Sequence, residues 1–225
     1  MEIAGNRDRN FYETIKAQFG SLLPTMSALR QEIPLKNNKS GYTFDFKDNR
    51  DSSPTERLLS VTDAFAANKL RVAIGIRQKS RAGAVRLVTY PSLAALALAF
   101  NNSSADAPSN AAKQAALDLE AIYNGSMTVQ IDKTTIFDGL NTARSRFVPQ
   151  SQAGPLSEAN EWRYDHGQIG IEPNLVLSGA RSNQITVDVP TFNGMAIEPD
   201  NSDFELLLVA ELSGYRVQGG SGLVK

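Results

Sequence analysis

Residues 204–212 read Phe-Glu-Leu-Leu-Leu-Val-Ala-Glu-Leu. In an extended chain, side chains alternate between two faces, so Phe204, Leu206, Leu208, Ala210 and Leu212 share one face. Leu207 and Val209 share the other. Apolar residues on both faces predict a strand covered on both sides, which places a sheet inside a layered body.

The same period of two recurs along the chain. Leu70, Val72, Ile74 and Ile76 alternate with Ala73 and Gly75, whose small side chains require a closely covered or thin second face. Further alternating or short apolar runs are Ile33 and Leu35; Tyr42, Phe44 and Phe46; 85–90; Met127, Val129 and Ile131; Ile136 and Phe137; Ile169 and Ile171 with Leu175 and Leu177; and Ile185, Val187 and Val189. Phe147-Val148-Pro149 reads as the close of another strand. Gly- and Pro-containing turns separate these runs. About eight strands in this arrangement predict a mostly β protein, a Greek-key sandwich or jelly roll. A single roll is favoured, and a compact double roll is the alternative.

Helical signals are confined to two places. Phe11, Ile15, Phe19 and Leu22 recur at spacings of three and four, with Asn10 as a cap and Gly20 and Pro24 as stops. From Pro91 to Asn124 the alternation gives way to alanine, and Ser92 and either Ser109 or Asn110 can cap a pair of short helices. The predicted organisation is a helical arm over 1–28, a sandwich over 29–218 with a helical insertion at 91–124, and a glycine-rich flexible tail at 219–225. The apolar face of the arm either packs on its own domain or docks on a neighbouring subunit.

Composition sets the outer limits. The 225 residues are 41% hydrophobic and 21% charged, with a net charge of −1, enough apolar material for one core and no global pull towards polyanions. There is no cysteine, so disulfides, thiolate metal sites and cysteine nucleophiles are excluded. The polar start does not read as a secretory signal. The longest apolar run, 93–100, is far short of the roughly 20 residues needed to span a bilayer. Synthesis in the cytoplasm, as a soluble chain, is the expectation.

Candidate chemistry is sparse. His166 is the lone histidine; it could serve a serine nucleophile, but no G-x-S-x-G elbow accompanies it. Glu198, Asp200, Asp203 and Glu205 offer hard oxygen ligands for a cation without the EF-hand glycine, or form a polar turn before the last strand. Gly219-Gly220-Ser221-Gly222 lacks the setting of a phosphate loop. Trp162 either anchors a loop or presents a ring to a sugar or partner. The basic run Arg71, Arg77, Lys79, Arg81 and Arg86 contains no intervening acid. Of these, Arg77, Lys79, Arg81 and Arg86 are candidates to face nucleic acid, lipid phosphate or an acidic neighbouring subunit, or to keep a hairpin tip soluble. No cofactor or small-molecule substrate is expected, and the chain does not read as an enzyme.

Several phrases add a resemblance. Thr89-Tyr90-Pro91, Ile122-Tyr123-Asn124-Gly125, Phe147-Val148-Pro149-Gln150, Leu175-Val176-Leu177-Ser178-Gly179 and Tyr215-Arg216-Val217-Gln218, in that order, resemble coat proteins of tailless icosahedral bacteriophages. The likeness spans residues 56–220. It implies a jelly-roll subunit that assembles into the shell of a virion with copies of itself and other virion proteins, in some such viruses around an internal membrane or packaged genome. Many members carry two rolls per chain, so a minor capsid or spike role is equally compatible. A carbohydrate- or receptor-binding sandwich and a jelly-roll hydrolase are the alternatives. In the coat reading, Phe11, Ile15, Phe19 and Leu22 become candidate subunit contacts.

Overall fold

The longest strand, β3 (Ala64–Gln78), forms the spine of the protein. The computed structural model describes residues 2–37, 39–48, 53–100, 109–148, 167–190, 197–199 and 203–224. Around β3 lie β1 (Thr25–Pro34), β2 (Gly41–Asp45), β4 (Val85–Val88), β5 (Ser126–Ile131), β6 (Thr134–Asn141), β7 (Ile169–Ser178), β8 (Asn183–Asp188) and β9 (Phe204–Val217). The helices are α1 (Glu2–Phe19), α2 (Ser92–Phe100) and α3 (Asn110–Ala121).

The strands form two antiparallel sheets. One runs β1-β9-β3, and the far edge of β3 is shared between β7 and β4. β7 pairs along residues 64–70 and β4 along 74–77. In the gap between them the Val72 amide donates to Ser145 Oγ at 3.1 Å. The second sheet runs β2-β8-β5-β6. The sheets pack face to face around one core, to which Phe44, Phe65, Ile74, Tyr123, Ile185 and Leu208 contribute, with Leu93, Ala97 and Leu119 of the insertion packed in. The protein is thus mostly β, with two packed antiparallel sheets and a few helices.

A β-bulge sets the parity of β3. Register shifts between Ala67 and Lys69, leaving Asn68 as the extra residue. Phe65 and Ala67 face the main core before it, and Leu70, Val72 and Ile74 face it after. The outer face therefore changes character along its length. At one end Ala64, Ala66, Val217 and Tyr215 carry a second apolar cluster with Phe11, Ile15, Phe19 and Val224. At the other, Arg71 stands opposite Glu211 and Arg77 opposite Glu205.

Several boundaries differ from expectation. α1 starts at Glu2, ahead of the expected Asn10 cap, and Asn10 lies inside the helix, its carbonyl accepting from Thr14 Oγ1. Gly20 ends the helix at φ +61, a left-handed conformation that glycine adopts freely. β1 begins at Thr25, inside the expected arm. Residues 146–148 form no strand; the Phe147 carbonyl accepts the Tyr90 amide at 3.2 Å. The glycine-rich tail is docked: Ser221–Leu223 forms a turn, Val224 is buried, and Ser178 Oγ and Arg181 donate to the Ser221 and Val224 carbonyls. Glycine count alone overlooks the apolar bed that α1 and β3 provide.

Candidate functional site

Described residues from the phrases that carried the resemblance meet in two structural knots. Tyr90 and Tyr123 meet edge to face with centroids 5.6 Å apart, and the Arg146 guanidinium lies 5.0 Å from the Tyr90 ring centre. Arg146 also donates to the Tyr123 carbonyl and to Asn124 Oδ1, while Thr142 Oγ1 donates to the carbonyls of Ile122 and Gly125. This knot roots both ends of the helical insertion in the sandwich. Burial pushes the Tyr123 hydroxyl far above the usual phenol range.

The second knot centres on Asp63. Its Oδ2 accepts Arg216 Nε at 2.7 Å, and its Oδ1 accepts the Gly219 amide at 3.1 Å and Thr62 Oγ1 at 3.0 Å. Its carbonyl accepts the Gly179 amide at 2.9 Å. One residue thus holds the start of β3, the end of β9, the turn after β7 and the tail. Burial alone would raise the Asp63 carboxyl; the Gly219 amide, Thr62 and Arg216 outweigh it and bring the carboxyl below its ordinary value. A depressed folded pKa stabilises the protein above the unfolded value, near 3.9, and that contribution is lost as pH falls through the folded value. Asp63→Asn should therefore cost about 1.5–3 kcal/mol at neutral pH, the scale of hydrogen bonds to a charged group. Urea unfolding of both proteins should show the gap closing as pH drops below the carboxylate range. Equal stability at neutral pH would remove Asp63 from this role. Sequence reading missed Asp63, whose only local sign is its place just before an apolar run.

Phe11, Ile15 and Phe19 are buried against the protein's own sheet, with Leu22 packed beside them. Phe11 and Tyr12 both tilt against Tyr215, at centroid distances of 5.7 and 5.3 Å. Asp8 clasps the bulge, accepting from Asn68 Nδ2 at 3.0 Å and Lys69 Nζ at 3.2 Å. Of the two readings of this face, packing on its own domain is the one seen here.

The basic run divides in two. Arg71 is buried and pairs with Glu211 at 2.9 Å. Arg77 pairs with Glu205 at 2.9 Å and reaches Glu32 at 3.5 Å. Glu32 also takes Arg30 at 2.8 Å and Thr55 Oγ1 at 2.9 Å. Glu56 accepts the backbone amides of Glu32 and Ser53, so the segment after residue 53 is strapped along the free edge of β1. Lys79, Arg81 and Arg86 remain exposed, and none makes an ion pair among the described residues.

The acidic turn is likewise partitioned. Glu198 accepts Lys36 Nζ at 2.7 Å and the Asn37 amide at 2.9 Å. The Lys36 hydrogen bond, backed by Asn37, holds the Glu198 carboxyl below its ordinary value. Among the described residues no group of three potential metal ligands comes together. Asp200, Trp162 and His166 lie outside the described residues. An open depression of about 430 Å3 sits where β5, β6 and β8 meet, lined by polar residues such as Asn124, Asn141 and Asp188 and by apolar Val189 and Pro190. Among the described residues no helix is long and apolar enough to cross a membrane.

Compared with known proteins, the chain matches no family model, no curated protein and no solved structure.

Proposed function

We propose that the sandwich is a jelly roll and that the chain is a structural coat subunit of a virion. The order of strand pairing carries this reading. With β4 set aside as a short addition between β3 and the insertion, eight strands remain. They pair first with last (β1–β9), second with seventh (β2–β8), third with sixth (β3–β7) and fourth with fifth (β5–β6). That is one long hairpin. The further contacts β9–β3 and β8–β5 roll it up into two sheets, the arrangement of a jelly roll.

A second feature suits assembly. Leu23 and Met26 are about 70% exposed (71% and 70%), and Val61 and Leu223 about half (54% and 48%). Thr25 pairs with Arg216, Arg216 bonds Asp63, and the Ser221 amide bonds the Thr62 carbonyl, so all four surround one end of the first sheet. Apolar side chains gathered at one end suit contact with sister subunits and other virion proteins better than solvent. The buried α1 face then stabilises the brick, and its neighbours meet this apolar end.

Light scattering and electron microscopy of the purified protein test the reading. Concentration-dependent, closed assemblies are expected. Leu23→Lys combined with Met26→Lys should block assembly while changing monomer stability by about 0.5 kcal/mol or less, as exposed substitutions do. A strict monomer at high concentration would overturn the proposal.

A further inference from the structure

We propose that the tip of the β3–β4 hairpin is a phosphate-binding contact for packaged nucleic acid; the choice of polyanion rests on the coat reading, but the binding itself does not. The tip is built from two consecutive turns, in which the Arg81 amide bonds the Gln78 carbonyl and the Ala84 amide bonds the Arg81 carbonyl, both at 2.9 Å. Lys79 and Arg81 project from these turns, and Arg86 lies beside them on β4, opposite Ile76. All three are exposed. Of the acids at the base of the hairpin, Glu205 is paired with Arg77 and Glu198 with Lys36, and Lys79 adds a weaker attraction to Glu198 without pairing with it. Asp203 lies at the same base, its carbonyl accepting the Lys79 amide at 2.8 Å.

One observation favours nucleic acid over a lipid surface. The turn residues Gln78, Lys79, Ser80, Arg81, Ala82, Gly83 and Ala84 include no large apolar side chain that could enter a bilayer. Arginine supplies a planar fork of donors matched to phosphate oxygens, whichever polyanion carries them. The location agrees. β3 runs from the apolar end to this tip, a separation of about 45 Å at roughly 3.3 Å per residue. Sister contacts and phosphate contacts therefore occupy opposite poles.

The test uses a fluorescein-labelled single-stranded 20-mer and the full chain. Three phosphate contacts on a single strand predict a salt slope near −2, so affinity should fall roughly 20-fold between 50 and 200 mM salt. Changing Lys79, Arg81 and Arg86 together to serine should weaken binding at 50 mM by about tenfold or more and flatten the slope. Arg77→Ser, which removes an internally paired cation, should change binding less than about twofold while lowering the unfolding midpoint. Undiminished binding by the triple variant, or no binding by the wild type at 50 mM salt, overturns the proposal. So does binding to phosphatidylserine vesicles without binding to the 20-mer. Particles that form while the wild-type chain ignores the 20-mer would sink this contact and spare the coat reading. A monomer that binds the 20-mer would do the reverse.

Discussion

Gly214→Ala should leave the protein unfolded or less stable by more than about 4 kcal/mol, a loss reserved for a few mechanisms. The mechanism here is close backbone approach. Gly214 lies on β9 opposite Ala67, beside the bulge created by Asn68. The bulge turns the Ala66 carbonyl towards Gly214, and a methyl group there would be driven into that oxygen. Relief requires β9 to move away from β3, and this pair joins the two halves of the first sheet. Such glycines mark bulges and tight contacts within strands. Gly83→Ala is the matched control: Gly83 sits at the open hairpin tip with nothing within 4 Å. It should stay within about 0.5 kcal/mol of wild type. Urea unfolding of the two variants decides the matter. A Gly214→Ala protein with an unchanged midpoint would mean that β3 and β9 do not cross at this register.

What the sequence made legible was local. The alternation in Tyr42, Phe44 and Phe46, in Met127, Val129 and Ile131, and in residues 204–212 falls within β2, within β5 and within β9, apart from Phe46, which lies just past the end of β2. The Ser92 signal marks the start of α2, and of the two cap candidates for α3 the position is taken by Ser109, whose carbonyl accepts the Lys113 amide at 3.0 Å. Ala73 and Gly75, whose face reads as either closely covered or thin, are both buried, and a Cβ at Gly75 would lie 3.1 Å from Val85 Cγ1 and 3.3 Å from Val209 Cγ2. Long-range pairing was not legible. The alternation that marks β3 begins only at Leu70, because residues 64–67 are mostly alanine and the bulge at Asn68 breaks the period of two. The tail looked loose because its partners, Ser178 and Arg181, are about 40 residues away in sequence (|i−j| = 43). The basic run looked uniform for the same reason. Its missing acids lie on β9, brought opposite by the register of strands far apart in the chain.

That register leads to the second large effect. Arg71→Ala should cost about 3–5 kcal/mol, because it leaves Glu211 buried without its counter-charge. The side chains of Arg71 and Glu211 are only 4% and 10% exposed, and they stand directly opposite each other on β3 and β9. Gln168 Nε2 also approaches Glu211 at 3.4 Å, but a neutral amide cannot replace a guanidinium. Removing both charges should behave differently. Arg71→Met with Glu211→Leu fills similar volume without desolvating ions, and should lie between neutral and about 4 kcal/mol more stable than wild type. The double-mutant cycle should therefore return a large coupling energy. Arg86→Ala, at the far end of the same basic run and exposed, should change stability by no more than about 0.5 kcal/mol. If Arg71→Ala were as mild as Arg86→Ala, the two arginines would have to be equally solvated. The division of the run into internal counter-ions and outward-facing cations would then fail, and with it the reason for assigning the phosphate contact to the tip alone.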